Sequence, residues 1–295
     1  MRKIFLLLTL LFAVLSLGGC SGGNEAAGSG KVQVTASFYP MAEFVRAVGG
    51  DKVSVTTLVP DGAEPHDWEP SPRDLTKIGR SRIFIYNGIV EPWAEQALEA
   101  LSERQIVAVE AGRGLYERDG KTDPHVWISP KKAIVEVQRI TDALCAADNA
   151  NAAYYRKNSA DYIAKLHRLD SELTQAAKTA PKKVFVTAHA AFGHLASDYG
   201  LTQLAVKGMS TEAEPAPGDL QQLVRIVRQQ RVKYVFFETL TDPKIARIIA
   251  DETGAQTAVL DPLEGLNAAG RKEGLTYITI MQRNIDNLTK ALNDK

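Results

Sequence analysis

Apolar residues along this chain gather in short blocks separated by stretches of helical period. In the first half the blocks are Val32-Gln33-Val34-Thr35-Ala36, Val53 to Val59, Ile83-Phe84-Ile85-Tyr86 and Ile106-Val107-Ala108-Val109. In the second half they are Val184 to Thr187, Leu204-Ala205-Val206, Tyr234-Val235-Phe236-Phe237 and Thr257-Ala258-Val259-Leu260. Runs this short, rich in β-branched and aromatic residues, read as strands. Strands alternating with helices at this spacing imply mostly parallel sheets. Two helix starts carry their own punctuation. Ser71 can cap a helix whose first position is Pro72, and Asp242-Pro243 opens another that runs toward Thr253 and stops at Gly254.

Between the two α/β blocks, Asn151 to Lys178 contains neither glycine nor proline. Tyr155, Tyr162, Leu166, Leu169, Leu173 and Ala176 recur there at steps of mostly three and four, which marks one buried stripe on a helix. At 1.5 Å per residue that helix would span about 42 Å and make a stiff connector. His167 falls off the stripe and reads as solvated surface. The fold class is therefore α/β: two lobes, each with a mostly parallel sheet and flanking helices, joined by one long rigid α-helix. Residues 31–133 form the N-terminal lobe, 134–180 the helical connector and 181–295 the C-terminal lobe.

The first residues change the picture of where the protein works. Arg2 and Lys3 precede an apolar stretch from Ile4 to Leu17, the length of a signal peptide and too short to span a bilayer comfortably. It ends in Leu17-Gly18-Gly19-Cys20, which resembles the lipobox of bacterial lipoproteins. Residues 1–19 then form the signal peptide, and Cys20 carries the lipid. Residues 20–30, rich in glycine and serine, form a flexible tether. Each buried lipid CH₂ contributes about 0.8 kcal/mol, so two or more acyl chains anchor stably. With Cys20 lipidated, only Cys145 remains as a thiol, so no disulfide forms within the chain. Cys145 sits in an apolar helical stretch and reads as a small buried hydrophobe. Lysine plus arginine equals aspartate plus glutamate, 35 each, which supplies no basic field for nucleic acid.

The candidate chemistry is carried by histidines. Of five in the chain, His66, His125 and His189 have distinctive settings: Gly62-Ala63-Glu64-Pro65-His66-Asp67-Trp68, Asp123-Pro124-His125-Val126-Trp127 and Thr187-Ala188-His189-Ala190. No two can share a helical face, so only the fold can join them. One histidine alone would read as a loop residue bonded to backbone; three in such settings favour a metal. Ligands in open parallel sheets sit beyond the carboxyl ends of strands. His66 follows the Val53 to Val59 run, and His189 comes straight after Val184 to Thr187 and begins a helix. Asp261 ends the last strand, and Glu264 follows it. Groups from both lobes could thus converge on one interlobe cleft, and three imidazoles with one carboxylate make a four-coordinate site favouring Zn(II).

Taken in order, several segments carry a resemblance. They are the lipobox, Glu64-Pro65-His66-Asp67-Trp68-Glu69-Pro70, Asp123-Pro124-His125-Val126-Trp127, Phe185 to Gly193, Glu212-Ala213-Glu214-Pro215 and Pro262-Leu263-Glu264-Gly265-Leu266. Together they resemble the metal-binding lipoproteins of ABC importers, the cluster A-I or cluster 9 substrate-binding proteins, and specifically the zinc members. The resemblance covers essentially the whole chain. It implies an extracytoplasmic, monomeric, non-enzymatic lipoprotein on the cell membrane that captures Zn(II) for an ABC permease and its ATPase. His66, His125 and His189 match the family's histidine ligands, and Glu264 matches the carboxylate of zinc members. Asp261 matches the aspartate ligand of manganese members and stands as the alternative fourth ligand. Manganese members commonly carry glutamate where His189 stands, a harder donor set that suits Mn(II).

Two features depart from the family pattern. His194 stands where relatives often carry tyrosine and reads as surface or as support for the site, with ligation the lesser alternative. The stretch from Tyr116 to Asp123 lacks the histidines that many zinc members carry there, so a metal-collecting loop is not supported. Glu212 and Glu214 could face the transporter, support the site or lie in a solvated loop. Two other functions compete: a manganese-delivering relative, and a zinc hydrolase using Glu264 as base. Against the hydrolase, no His-Glu-x-x-His motif and no nucleophile elbow occurs. Display as a surface adhesin is compatible with metal binding.

Overall fold

The computed structural model describes residues 30–118, 120–206, 217–240 and 242–294. The signal segment, Cys20, nearly all of the tether, and Glu212, Glu214 and Pro215 lie outside the described residues. The N-terminal lobe runs β1 (Val32–Ala36), α1 (Tyr39–Gly49), β2 (Val53–Thr57), α2 (Pro72–Arg80), β3 (Ile83–Tyr86), α3 (Ala94–Ala100) and β4 (Val107–Glu110). A short hairpin, β5 (Glu117–Arg118) and β6 (Lys121–Thr122), precedes α4 (Pro130–Ala147) and the long α5 (Ala152–Thr179). The C-terminal lobe follows as β7 (Val184–Thr187), α6 (Gly193–Asp198), β8 (Thr202–Ala205), α7 (Pro217–Gln229), β9 (Tyr234–Phe237), α8 (Lys244–Thr253) and β10 (Gln256–Val259). It closes with α9 (Ala268–Glu273) and α10 (Tyr277–Asn293).

Both four-stranded sheets are parallel throughout, ordered β2-β1-β3-β4 and β10-β9-β7-β8. Renumbered from each lobe's first strand, the second order is the first read from the other edge. The strand order reverses between β1 and β3 in one lobe and between β7 and β9 in the other, and such a switch point is where open α/β sheets hold ligands. Local signals place the elements as the sequence predicts. Ser71 and Asp74 form a reciprocal capping box at α2, and α8 ends at Gly254, whose φ of 74° is left-handed. The stripe on α5 buries Tyr155, Tyr162, Leu166, Leu169 and Leu173. At its end Ala177 is buried in place of the expected Ala176, because i+4 from Leu173 faces the core.

The two lobes share one core. A single buried cluster runs from Val34 and Phe44 through Tyr155 and Leu166 to Phe185, Tyr234 and Tyr277. Polar ties reinforce it: Trp127 Nε1 donates to the Pro262 carbonyl at 2.8 Å, and the Tyr277 hydroxyl donates to the Trp127 carbonyl at 2.6 Å. Ser129 Oγ and Lys132 Nζ both reach Asp198 Oδ2, at 2.5 and 2.6 Å. Stiffness therefore comes from continuous packing as well as from the connector helix. Cys145 is buried on α4. Among the described residues no helix is long and apolar enough to cross a membrane.

Candidate metal centre

Four side chains from both lobes meet between the sheets. One donor atom from each of His66, His125, His189 and Glu264 lies within 4.8 Å of all the others. Glu264 Oε1 stands 3.4 Å from His66 Nε2, 3.4 Å from His125 Nε2 and 3.5 Å from His189 Nε2, and the first two ring nitrogens are 3.1 Å apart. A tetrahedral zinc with bonds of about 2.0–2.1 Å holds its donors about 3.3–3.4 Å apart. These four separations, 3.1–3.5 Å, lie close to that edge length.

Each donor is delivered by a different local device. His66 lies in a one-turn 3₁₀ segment, Pro65–Asp67, capped by Glu64, whose Oε1 accepts the His66 backbone N–H at 3.3 Å. His125 caps another such segment, Val126–Ile128. His189 occupies a bend beyond β7; the helix expected to begin there starts only at Gly193, after a turn. Glu264 follows Leu263, whose φ of 58° is rare for a residue with a branched side chain. Such a conformation costs about 1–3 kcal/mol and persists only where its surroundings hold it. Asp261 supplies that hold: Oδ1 accepts the Leu263 N–H and Oδ2 the Thr239 hydroxyl, each at 2.8 Å. Both oxygens of Asp261 are thus engaged away from the imidazoles.

Two carboxylates that the sequence reading passed over fix the histidines. Asp123 Oδ1 accepts from His125 Nδ1 at 2.9 Å, and Glu238 Oε1 from His189 Nδ1 at 2.5 Å. A hydrogen bond to Nδ1 sets the tautomer and leaves Nε2 as the donor toward the cluster centre. Glu238 follows β9 directly, across the switch point from His189, and that position was its signal in the sequence. Asp123 had one too, two residues before His125. His194, expected at the surface or in support, is fully buried and bonds the Asp123 carbonyl; His167 is exposed.

Burial alone would pull the His189 imidazole down, but Glu238 and Glu264 outweigh it and lift its pKa from 6.5 to about 10. His125 is likewise raised, with burial opposed by Asp123 and Glu264. Burial alone would raise the Glu264 pKa, but the three imidazoles 3.4–3.5 Å away carry it well below the ordinary value. Burial, aided by the Glu264 charge, pushes Glu64 up to about 7. His189 Nε2 and both Glu264 oxygens are buried without a hydrogen-bond partner, the pattern of atoms whose lone pairs serve a metal.

Three imidazoles and a carboxylate, gathered between two lobes with their donor atoms within 4.8 Å of one another, define a protein built to hold a divalent cation. The chain belongs to the family described as ZnuA, zinc-uptake complex component A, periplasmic, which matches residues 34–291. It is 38% identical over 308 residues to the high-affinity zinc uptake system protein ZnuA of Bacillus subtilis, covering 98% of this chain and 97% of that one. It is 36% identical over 313 residues to the zinc-binding lipoprotein AdcA of Streptococcus pneumoniae, covering all of this chain but 62% of the relative. Among solved structures, the Zn(II)-bound ZnuA-like domain of S. pneumoniae AdcA superposes with a TM-score of 0.82 at 37% identity, over 90% of this chain and 100% of that one. The laminin-binding protein Lmb of Streptococcus agalactiae, described as bifunctional with adhesin and metal-transporting activity, gives 0.82 at 33% identity, over 88% and 99%. The family comprises metal-binding solute-binding proteins of ABC importers, not enzymes, so the hydrolase reading falls.

Proposed function

We propose that this protein captures Zn(II) outside the cytoplasm with His66, His125, His189 and Glu264, and delivers it to an ABC permease driven by its ATPase. The convergence of three imidazole nitrogens and one carboxylate oxygen within 4.8 Å of one another carries the proposal. The likeness to zinc-binding relatives over the full chain supports it. In this reading Cys20 bears the lipid, residues 20–30 tether the folded part to the cell membrane, and the protein acts as a monomer. Lobes of residues 31–133 and 181–295 close on the ion from either side of the 134–180 connector. Metal analysis and titration of chelator-stripped protein should saturate at one Zn(II) per chain, with Mn(II) a poor competitor. Two equally tight sites, or preference for Mn(II), would overturn it. The likeness to Lmb favours a second role as an adhesin, tested by binding of zinc-loaded protein to immobilised laminin.

Capture should also release protons. Zinc takes Nε2 as a lone pair, so an imidazolium must lose its proton first. His189, lifted to about 10, is charged at pH 7, whereas Glu264 is already ionised and contributes none. Calorimetric titration in buffers of different ionisation enthalpy should give at least one proton released per zinc at pH 7. A slope of zero contradicts the electrostatics. Folding raises the His189 pKa, so its ion pairing stabilises the metal-free protein fully below about pH 6.5 and is lost as pH climbs through about 10. Zinc affinity should move the opposite way, rising across that window by about tenfold per pH unit for each proton displaced.

A further inference from the structure

We infer that His194, itself no ligand, positions His125 from the opposite lobe and so slows the loss of captured zinc. The inference rests on the zinc-binding reading above. His194 lies in the first turn of α6, fully buried, with Nε2 2.8 Å from the Asp123 backbone carbonyl. A carbonyl only accepts, so Nε2 carries the hydrogen. Burial lowers the pKa of the ring and keeps it neutral, which leaves Nδ1 bare, and Nδ1 is the buried atom without a partner. Asp123 hands this restraint on. Its Oδ1 accepts both the backbone N–H and Nδ1 of His125, at 3.1 and 2.9 Å, while Oδ2 accepts from Arg118 Nε at 3.2 Å.

Gly193 shows how close the two lobes come at this point. A Cβ there would stand 2.5 Å from both Arg118 Nη2 and Asp123 Oδ2. Glycine therefore lets α6 approach the Asp123 segment closely enough for the His194 bond. His189 and His194 belong to the same connection between β7 and β8, so the bond to Asp123 joins the mounts of two ligands. The His125 and His189 rings, 5.4 Å apart, are held at that spacing from behind. The bond acts after the ion has bound, when the spacing must be kept, and its effect belongs in the dissociation rate.

The test is stopped-flow zinc exchange on the lipid-free mature chain. His194→Phe, which fills the space without a donor, should release zinc about tenfold faster, the lower end of what a residue behind a ligand contributes, with association unchanged. His194→Gln, whose side-chain amide can donate to the same carbonyl, should restore slow release. Gly193→Ala should accelerate release by prying apart the same contact, and it carries the test if His194→Phe does not fold. A purely structural role would lower the melting temperature of the metal-free protein and leave the zinc dissociation rate alone; that result overturns the inference. So does a glutamine variant as fast as the phenylalanine variant. Failure of the unsubstituted protein to bind zinc overturns the underlying reading, and this inference with it.

Discussion

Glu264→Ala is expected to weaken zinc binding by two to three orders of magnitude, and Asp261→Ala by only about tenfold. Glu264 Oε1 lies 3.4–3.5 Å from all three imidazole Nε2 atoms, and neither of its oxygens has another partner. Without it a buried cation faces three neutral rings and no anion. Breaking a buried charge pair typically costs about 3–5 kcal/mol, and each 1.4 kcal/mol is tenfold in affinity. Asp261 acts at one remove, on the Leu263 N–H and the Thr239 hydroxyl. Its loss strands two donors and loosens the turn that aims Glu264. That should cost about 1–3 kcal/mol of stability in the metal-free protein, with zinc affinity following only in part. Competitive chelator titration and thermal unfolding separate the two variants. The reverse affinity order would move the ligand role to Asp261.

His189→Ala should erase most of the zinc-induced rise in melting temperature, while His167→Ala keeps it. An ion that binds only the native state stabilises it by about 2.7 kcal/mol at a hundredfold excess over Kd. His189 supplies a buried donor, and its removal takes the imidazole from Glu238 and leaves it the backbone N–H of residue 189, so the metal-free variant should melt lower as well. His167 is exposed on the connector helix and meets none of these groups. Equal zinc increments in the two variants would sink the assignment. The comparison is internal to one protein and one buffer, which removes the pH dependence of the metal-free state.

Most of the architecture was legible because its signals are local. The runs at Val32, Ile83, Val184 and Tyr234 are strands with the expected bounds, and the Ser71 start and Gly254 stop fall where expected, since caps and short apolar runs act over a few residues; α8 itself begins one residue after Pro243. Strand ends slipped by one or two residues elsewhere, where pairing with a neighbour sets the limit. Three histidines were visible through their loop settings beyond strand ends. Glu238 and Asp123 were not singled out, because a carboxylate's role depends on which imidazole it faces, and that is decided by chain distant in sequence. For the same reason the sequence leaves His194 open between surface and support for the site. Its environment comes from the Asp123 segment, 71 residues away, and from a close approach that Gly193 permits.

His66 differs from the other three donors in being reachable. Its side chain is 12% exposed, against 0–1% for the rest. The loop that bears it is tied to the C-terminal lobe by Arg271 and Asp61, an ion pair 53% and 38% exposed that contributes about 0–1 kcal/mol. If these four hold the ion as proposed, a competing chelator meets His66 before the buried donors, and exchange is expected to proceed in sequence, with His66 leaving first. Such a route has a kinetic signature. The transfer rate is expected to climb in proportion to a dilute competitor and to level off at high concentration, where the departure of His66 becomes the slow step. Tight equilibrium binding and prompt hand-off then reside in different parts of the same coordination shell, and substitutions in the loop can change the second while sparing the first.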